Sequence, residues 1–241
     1  MTAPHLIGER LPRSPFAAGS APIFAPHHRR LQTLFARLWD SWGPRDWWPG
    51  DTPFEVIVGA VLTQNTNWSN VKLALAQLDA AGLLADPAAL ASARPPRLER
   101  LVRSSGYFRQ KAARLRGVAR WYADAGGADA LRRRPLDDLR PELLALHGVG
   151  PETADSILCY ALGFPVFEVD AYTWRVLERH ALVEPGMDYE ALRAWVEARL
   201  VPEAFNETHA LLVAAGSRHC KPRPVCEGCP ARRCLPRGGP R

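Results

Sequence analysis

Apolar residues recur at helical spacing along most of this chain, and glycine, proline and short polar clusters make the breaks between the runs. Over 29–42, Leu31, Leu34, Phe35 and Leu38 fall on one face of a helix. Residues 54–62 form a nearly continuous apolar run. The polar stretch Thr63-Gln64-Asn65-Thr66-Asn67-Trp68 interrupts it before the helical pattern resumes at 71–78. Such a break between two buried helices costs free energy unless its polar groups meet partners; two helix caps around a loop would supply them. From 83 to 143 the pattern predicts short helices punctuated by Pro87, Pro95-Pro96, Gly126-Gly127 and Pro135, with no strand of any length. The fold class predicted is all-α. Residues 1–26, rich in Pro, Ala and Ser and without periodicity, predict a flexible leader.

The most informative punctuation lies at 143–180. Leu146-His147-Gly148-Val149-Gly150 closes one helical run, and Pro151-Glu152-Thr153-Ala154 opens another. Glycine suits a turn that needs positive φ or a close backbone approach. Proline suits the first helical position and glutamate the positive end of the helix. Two helices joined by so short a turn leave backbone N–H groups at the start of the second, which suits a phosphate. An ordinary αα-hairpin accounts for these residues as well. Beyond it the helix continues over 156–162, Gly163-Phe164-Pro165 stops it, 166–169 runs extended, and Asp170 stands at the N-cap of a helix over 171–180. Capping alone would justify an aspartate there.

A chain of 241 residues, 47% hydrophobic, can bury a substantial core in one large or two interlocked domains. No apolar run approaches the length of a membrane span and no hydrophobic segment follows basic residues at the N-terminus, so the expectation is a soluble, cytoplasmic protein. The net charge of +6 and pI near 9.4 suggest a polyanionic partner. Between 218 and 241, seven basic residues face the single acid Glu227, and seven minus one equals the whole net charge of +6. The excess sits in the tail. The same tail holds Cys220, Cys226, Cys229 and Cys234 as C-x5-C-x2-C-x4-C. Thiols so grouped, in a chain without secretory features, favour a metal centre over disulfides, either zinc or a [4Fe-4S] cluster. A zinc site more usually pairs two C-x2-C units, and here there is one. Cys159, apart from this set, reads as a small buried apolar residue.

L-x-G-V-G-x-x-T-A at 146–154, followed by Val169-Asp170, resembles the helix-hairpin-helix and catalytic aspartate of the endonuclease III superfamily of DNA glycosylases. The resemblance covers most of residues 30–235. It implies a two-domain helical fold: a six-helix domain over 45–164 containing the hairpin at about 143–162, and a helical iron–sulfur domain formed by 27–44 with 165–241. It implies a [4Fe-4S] cluster on the four tail cysteines, although the family spacing C-x6-C-x2-C-x5-C is longer by one residue in each outer gap. It implies a monomeric enzyme acting on double-stranded DNA that contains a damaged base. Gly148, Gly150 and Thr153 would then contact DNA, Gln64 would enter the space left by an extruded base, and the segment 105–112 would reach the opposite strand.

Cleaving a base from deoxyribose creates positive charge on the sugar, which a carboxylate stabilises while orienting or deprotonating water. Asp170 would fill that role. Bifunctional members carry lysine in G-x-G-x-K-T-A, where this chain has Glu152. A carboxylate cannot form a Schiff base, and the lysines Lys72, Lys111 and Lys221 lie outside the hairpin. The expectation is a monofunctional glycosylase. Trp47-Trp48-Pro49 and Trp68 resemble the aromatic base pocket of the 3-methyladenine branch, and bases carrying positive charge would stack on such indoles. Core packing is the other reading of a tryptophan pair. Two alternatives remain: an oxidised-pyrimidine glycosylase with lyase activity, and a non-catalytic hairpin protein that grips phosphates.

Overall fold

The computed structural model describes residues 26–45, 47–48 and 50–240, and the leader expected over 1–26 lies outside them save for Pro26. Among the described residues there are twelve α-helices and no strand. In chain order they are α1 (Pro26–Trp42), α2 (Pro53–Thr63), α3 (Trp68–Ala80), α4 (Pro87–Ser92), α5 (Pro95–Leu101), α6 (Phe108–Asp124), α7 (Ala128–Leu131), α8 (Leu136–Ala145), α9 (Pro151–Ser156), α10 (Ala171–Arg179), α11 (Tyr189–Glu197) and α12 (Phe205–Arg218). None of them is long and apolar enough to cross a membrane. Local chemistry sets their starts. Thr52, Asp86, Asp170 and Asp188 each accept a backbone N–H three residues on, and proline opens α2, α4, α5 and α9.

The chain divides into two compact units, Trp48–Phe164 on one side and the residues through Trp47 with those from Pro165 onward on the other. Within the first, α2 is buried on every side through Phe54, Val56, Ile57, Val58, Val61 and Leu62, which explains why its sequence shows a continuous apolar run rather than a stripe. It packs against α3 and α6, and α6 contributes Ala112, Leu115, Val118 and Ala119 to the core. One expectation needs correction. The helix expected to continue over 156–162 instead widens into a π turn, Ile157–Ala161. Every residue from Ile157 to Leu162 is apolar or aromatic but for Cys159, so periodicity could not register the extra residue that a π turn inserts.

The second unit is built around Leu31, Leu34, Phe35 and Leu38 of α1, with Phe167 and Val169 of the extended segment, Val176 and Leu177 of α10, and Leu211, Leu212 and Ala215 of α12. Helices α10 and α12 approach closely at Gly216, where a Cβ would stand 2.3 Å from Tyr172. The Arg30 guanidinium donates to the carbonyls of His180 and Ala181, satisfying the end of α10.

Candidate DNA-processing site

In the first unit, the turn between α8 and α9 is closed by the Val149 N–H donating to the Leu146 carbonyl at 3.1 Å. Gly148 is required twice over: its φ is +78°, and a Cβ there would lie 2.1 Å from Arg114 Nε. Gly150, the N-cap of α9, is extended and exposed with open space around its Cα. Glu152 is exposed on the first turn of α9, while the Thr153 side chain points inward. The Thr153 hydroxyl accepts from Gln64 Nε2 at 2.9 Å; the same amide donates to the Gly148 carbonyl at 3.0 Å, and its oxygen accepts from Arg114. Gln64, expected as the residue that fills a vacated base position, is therefore tied to the hairpin turn and half-buried here. Entering a duplex would require exchanging these bonds.

The lysines bear on lyase chemistry. Lys72 and Lys221 are exposed, whereas Lys111 is 1% exposed and its ammonium donates to the carbonyls of Leu62 at 2.9 Å and Ser105 at 2.5 Å. Burial, followed by the nearby Arg114 charge, lowers its pKa to about 8. Such an amine has the basicity of a Schiff-base nucleophile but is sealed between two backbone segments. The segment just before it carries an exposed tip: Tyr107, left-handed at φ 45°, is 64% exposed, and Arg103 and Arg109 flank the neighbouring Phe108 ring at 5.3 and 5.9 Å. An exposed aromatic among cations suits stacking on nucleic acid.

The tryptophans are placed unequally. Trp48 is buried over Gly59, meeting Trp68 edge-on at 5.3 Å and Tyr160 at 5.6 Å. Trp68 is partly accessible, and Trp47 belongs to the other unit. Tyr160, not singled out from sequence, joins the aromatic group through the π turn. Its only sequence signal is an aromatic residue inside an apolar run.

In the second unit, Asp170 combines an N-cap with a charge cluster. Its Oδ1 accepts the Thr173 backbone N–H at 2.7 Å and the Thr173 hydroxyl at 2.9 Å. Its Oδ2 lies 3.6 Å from His209 Nε2, and His209 Nδ1 lies 3.9 Å from Glu168 Oε2, all three side chains being buried. Burial works against ionising Asp170. The adjacent His209 charge and the Thr173 hydrogen bonds outweigh it, holding the carboxyl below the usual aspartate range. At neutral pH the group is a carboxylate able to stabilise a cation. Sequence reading missed Glu168 and His209; the available signals were the alternation Phe167-Glu168-Val169-Asp170 and a histidine inside the largely apolar face of α12.

None of the four tail cysteines is in a disulfide. Cys220 is buried behind α12, and Cys234 ends the short 3₁₀ turn Pro230–Cys234. Burial pushes the thiols of Cys220, Cys229 and Cys234 up, with Arg179 opposing this at Cys220 and Arg37 and Arg30 at Cys234. Two side chains of α10 hold the loop: Arg175 donates to the Cys220 carbonyl at 3.1 Å, and Arg179 to the carbonyls of Lys221 and Pro222. Among the described residues no three ligating side chains are gathered tightly enough for a single ion. Cys220, Cys226 and Cys229 are near enough to influence one another electrostatically. Four cysteines on one short segment, three of them within electrostatic reach of one another and with arginines near Cys220 and Cys234, are the donor type that holds an iron–sulfur cluster.

Residues 58–200 match the HhH-GPD superfamily of base excision DNA repair proteins. A protein of Methanocaldococcus jannaschii named as a candidate DNA repair glycosylase is 37% identical over 207 residues, 84% of this chain and 94% of that protein. Endonuclease III of Thermotoga maritima is 34% identical over 182 residues, 73% of this chain and 79% of the enzyme. Among solved structures, the H. pylori 3-methyladenine DNA glycosylase MagIII bound to 1,N6-ethenoadenine superposes with a TM-score of 0.68 at 27% identity, over 80% of this chain and 97% of that one. A trapped endonuclease III–DNA covalent intermediate shares the fold, with a TM-score of 0.74 at 22% identity over 88% and 96% of the two chains. With its helical hairpin and its capping aspartate at the start of α10, the chain belongs to the HhH-GPD superfamily of base excision repair proteins and is a DNA N-glycosylase of the endonuclease III-like group.

Proposed function

We propose that this glycosylase is monofunctional, acts on alkylated purines such as 3-methyladenine in double-stranded DNA, and uses Asp170 to stabilise the developing sugar cation while water displaces the base. The observation that carries the reading is a buried Asp170 at the start of α10, beside His209, in a protein whose hairpin offers Glu152 where a lysine would be needed for lyase chemistry. The aromatic group of Trp48, Trp68 and Tyr160 supports the substrate class, since purines alkylated at N3 or N7 carry positive charge and weakened glycosidic bonds. The likeness to MagIII supports it as well. The identity with the T. maritima endonuclease III favours a second reading, excision of oxidised pyrimidines.

Cys220, Cys226, Cys229 and Cys234 would hold a [4Fe-4S] cluster that ties the tail to α10 and presents its basic residues to phosphate. The deciding experiment is a base-release assay over a panel of duplexes carrying single lesions, with borohydride added in parallel. Release of free methylated purine, abasic product that stays intact until heated in alkali, and no trapped adduct are expected. Excision of oxidised pyrimidines with an efficient covalent trap would overturn both the substrate and the mechanism.

A further inference from the structure

We infer that His209, steadied by Glu168, is the positioning residue that fixes the non-capping oxygen of Asp170 for base excision. The inference deepens the reading above and rests on Asp170 being the catalytic carboxylate.

Capping occupies one oxygen of Asp170. Oδ1 takes both the N–H and the hydroxyl of Thr173, so the helix start is satisfied without Oδ2. Oδ2 faces His209 Nε2 at 3.6 Å, and the other ring nitrogen faces Glu168 Oε2 at 3.9 Å. An imidazole with one proton can serve only one carboxylate. The imidazolium, with N–H on both sides, serves two. The ring is held in plane by Phe167, edge-on at 6.1 Å and 81°. Its carboxylate neighbours are held in place, because Glu168 and Asp170 are each next in the chain to Phe167 or Val169, which are locked in the core. His209 comes from the middle of α12, so the arrangement rests on packed elements rather than on a loop.

Charges so buried are not what stability alone would select, since apolar residues of similar volume usually do as well or better. Their presence beside a candidate catalytic carboxylate points to chemistry. Glu168 and Asp170 are charged groups that face the ring. Helix α10 contributes Thr173, through Asp170, and α1, which also packs on α12, turns Leu31, Leu34, Phe35 and Leu38 into this core.

The test uses the full-length protein and any lesion duplex that the wild type processes, measuring single-turnover base release against pH together with DNA affinity and melting temperature. Asp170→Asn should lower release by about two or more orders of magnitude. His209→Gln should slow release about tenfold or more while DNA affinity stays within about twofold, and its acid limb should move to higher pH because burial is then opposed at Asp170 by the Thr173 hydrogen bonds without the His209 charge. Glu168→Gln keeps the imidazole but weakens its hold on the second proton, so its alkaline limb should move to lower pH. A His209→Gln enzyme with wild-type rate and acid limb, or one whose loss is equal at every pH and tracks a fall in melting temperature, overturns the inference. If that variant does not fold, Glu168→Gln decides: an unshifted profile overturns the inference and a shifted one sustains it. Retained release in Asp170→Asn would remove the reading beneath, whereas an inactive Asp170→Asn with an unchanged His209→Gln would remove the inference alone.

Discussion

Each of the two units buries an aspartate beside a basic side chain, and the two pairs are built differently. In the hairpin unit, Asp155 is wholly inaccessible and both its oxygens are held by the Arg140 guanidinium, at 2.7 and 3.1 Å. In the other unit, Asp170 gives one oxygen to a helix cap and leaves the second beside a titratable ring at 3.6 Å. A bidentate arginine pair is planar, permanently charged and geometrically closed, which suits tying α8 to α9 under the hairpin turn. A carboxylate facing histidine keeps an oxygen less committed and its charge adjustable. The contrast sets a tightly saturated aspartate suited to holding the fold against a less saturated one, Asp170, which is the carboxylate proposed for reaction.

The largest effect that could break this comparison is on stability. Arg140→Met leaves Asp155 buried without its cation and should cost about 3 to 5 kcal/mol in denaturant unfolding. A loss below about 1 kcal/mol would mean that the pair is not what anchors the hairpin. Asp170→Asn should do the reverse: asparagine also caps a helix, so the melting temperature should change little while base release falls by about two or more orders of magnitude. A mutant that unfolds but keeps its specific activity would make the two aspartates alike.

Smaller effects sharpen the division of labour. Trp68→Ala, at the accessible edge of the aromatic group, should weaken methylated-purine release by roughly 1 to 3 kcal/mol of lost stacking with little change in melting temperature. Trp48→Ala, in the core over Gly59, should instead lose about 3 to 5 kcal/mol of stability. Equal behaviour of the two would deny the hairpin unit a base-binding face. The smallest effect is a pH dependence. Lys111 has a folded pKa of about 8, below its unfolded value of about 10.4, so between those limits the unfolded chain holds a proton that the folded chain lacks. Stability from this group therefore increases as pH rises through that window and is lost as pH falls through 8. Denaturant curves at pH 7.5 and 10 should show the wild type gaining on Lys111→Met at the higher pH; a constant gap would mean that Lys111 is not desolvated.

Much of the fold could be read from local pattern. The helices around Leu31 and Leu38, the punctuated middle, the G-V-G turn and the Asp170 cap depend on residues within a turn or two of each other, and sequence displays such spacings directly. Gly148 was legible as a turn residue, but the Arg114 side chain that also demands a glycine there was not. Gln64 was legible as a polar break in an apolar run. That it is bound to Gly148, Thr153 and Arg114 follows only from folding, since Gly148 lies 84 positions away.

By itself, then, the sequence determined an all-helical chain with a hairpin, a carboxylate at a helix start, a lysine-free turn and four grouped cysteines, because each is a matter of residue type at short range. Only the tertiary structure decided that Asp170 meets His209 and Glu168, that Lys111 is sealed between two carbonyls, and that Trp48 and Trp68 differ in exposure. Partner, burial and ionisation are set by which distant surfaces pack together, and they give a helix-capping residue the charged neighbours on which its proposed role rests.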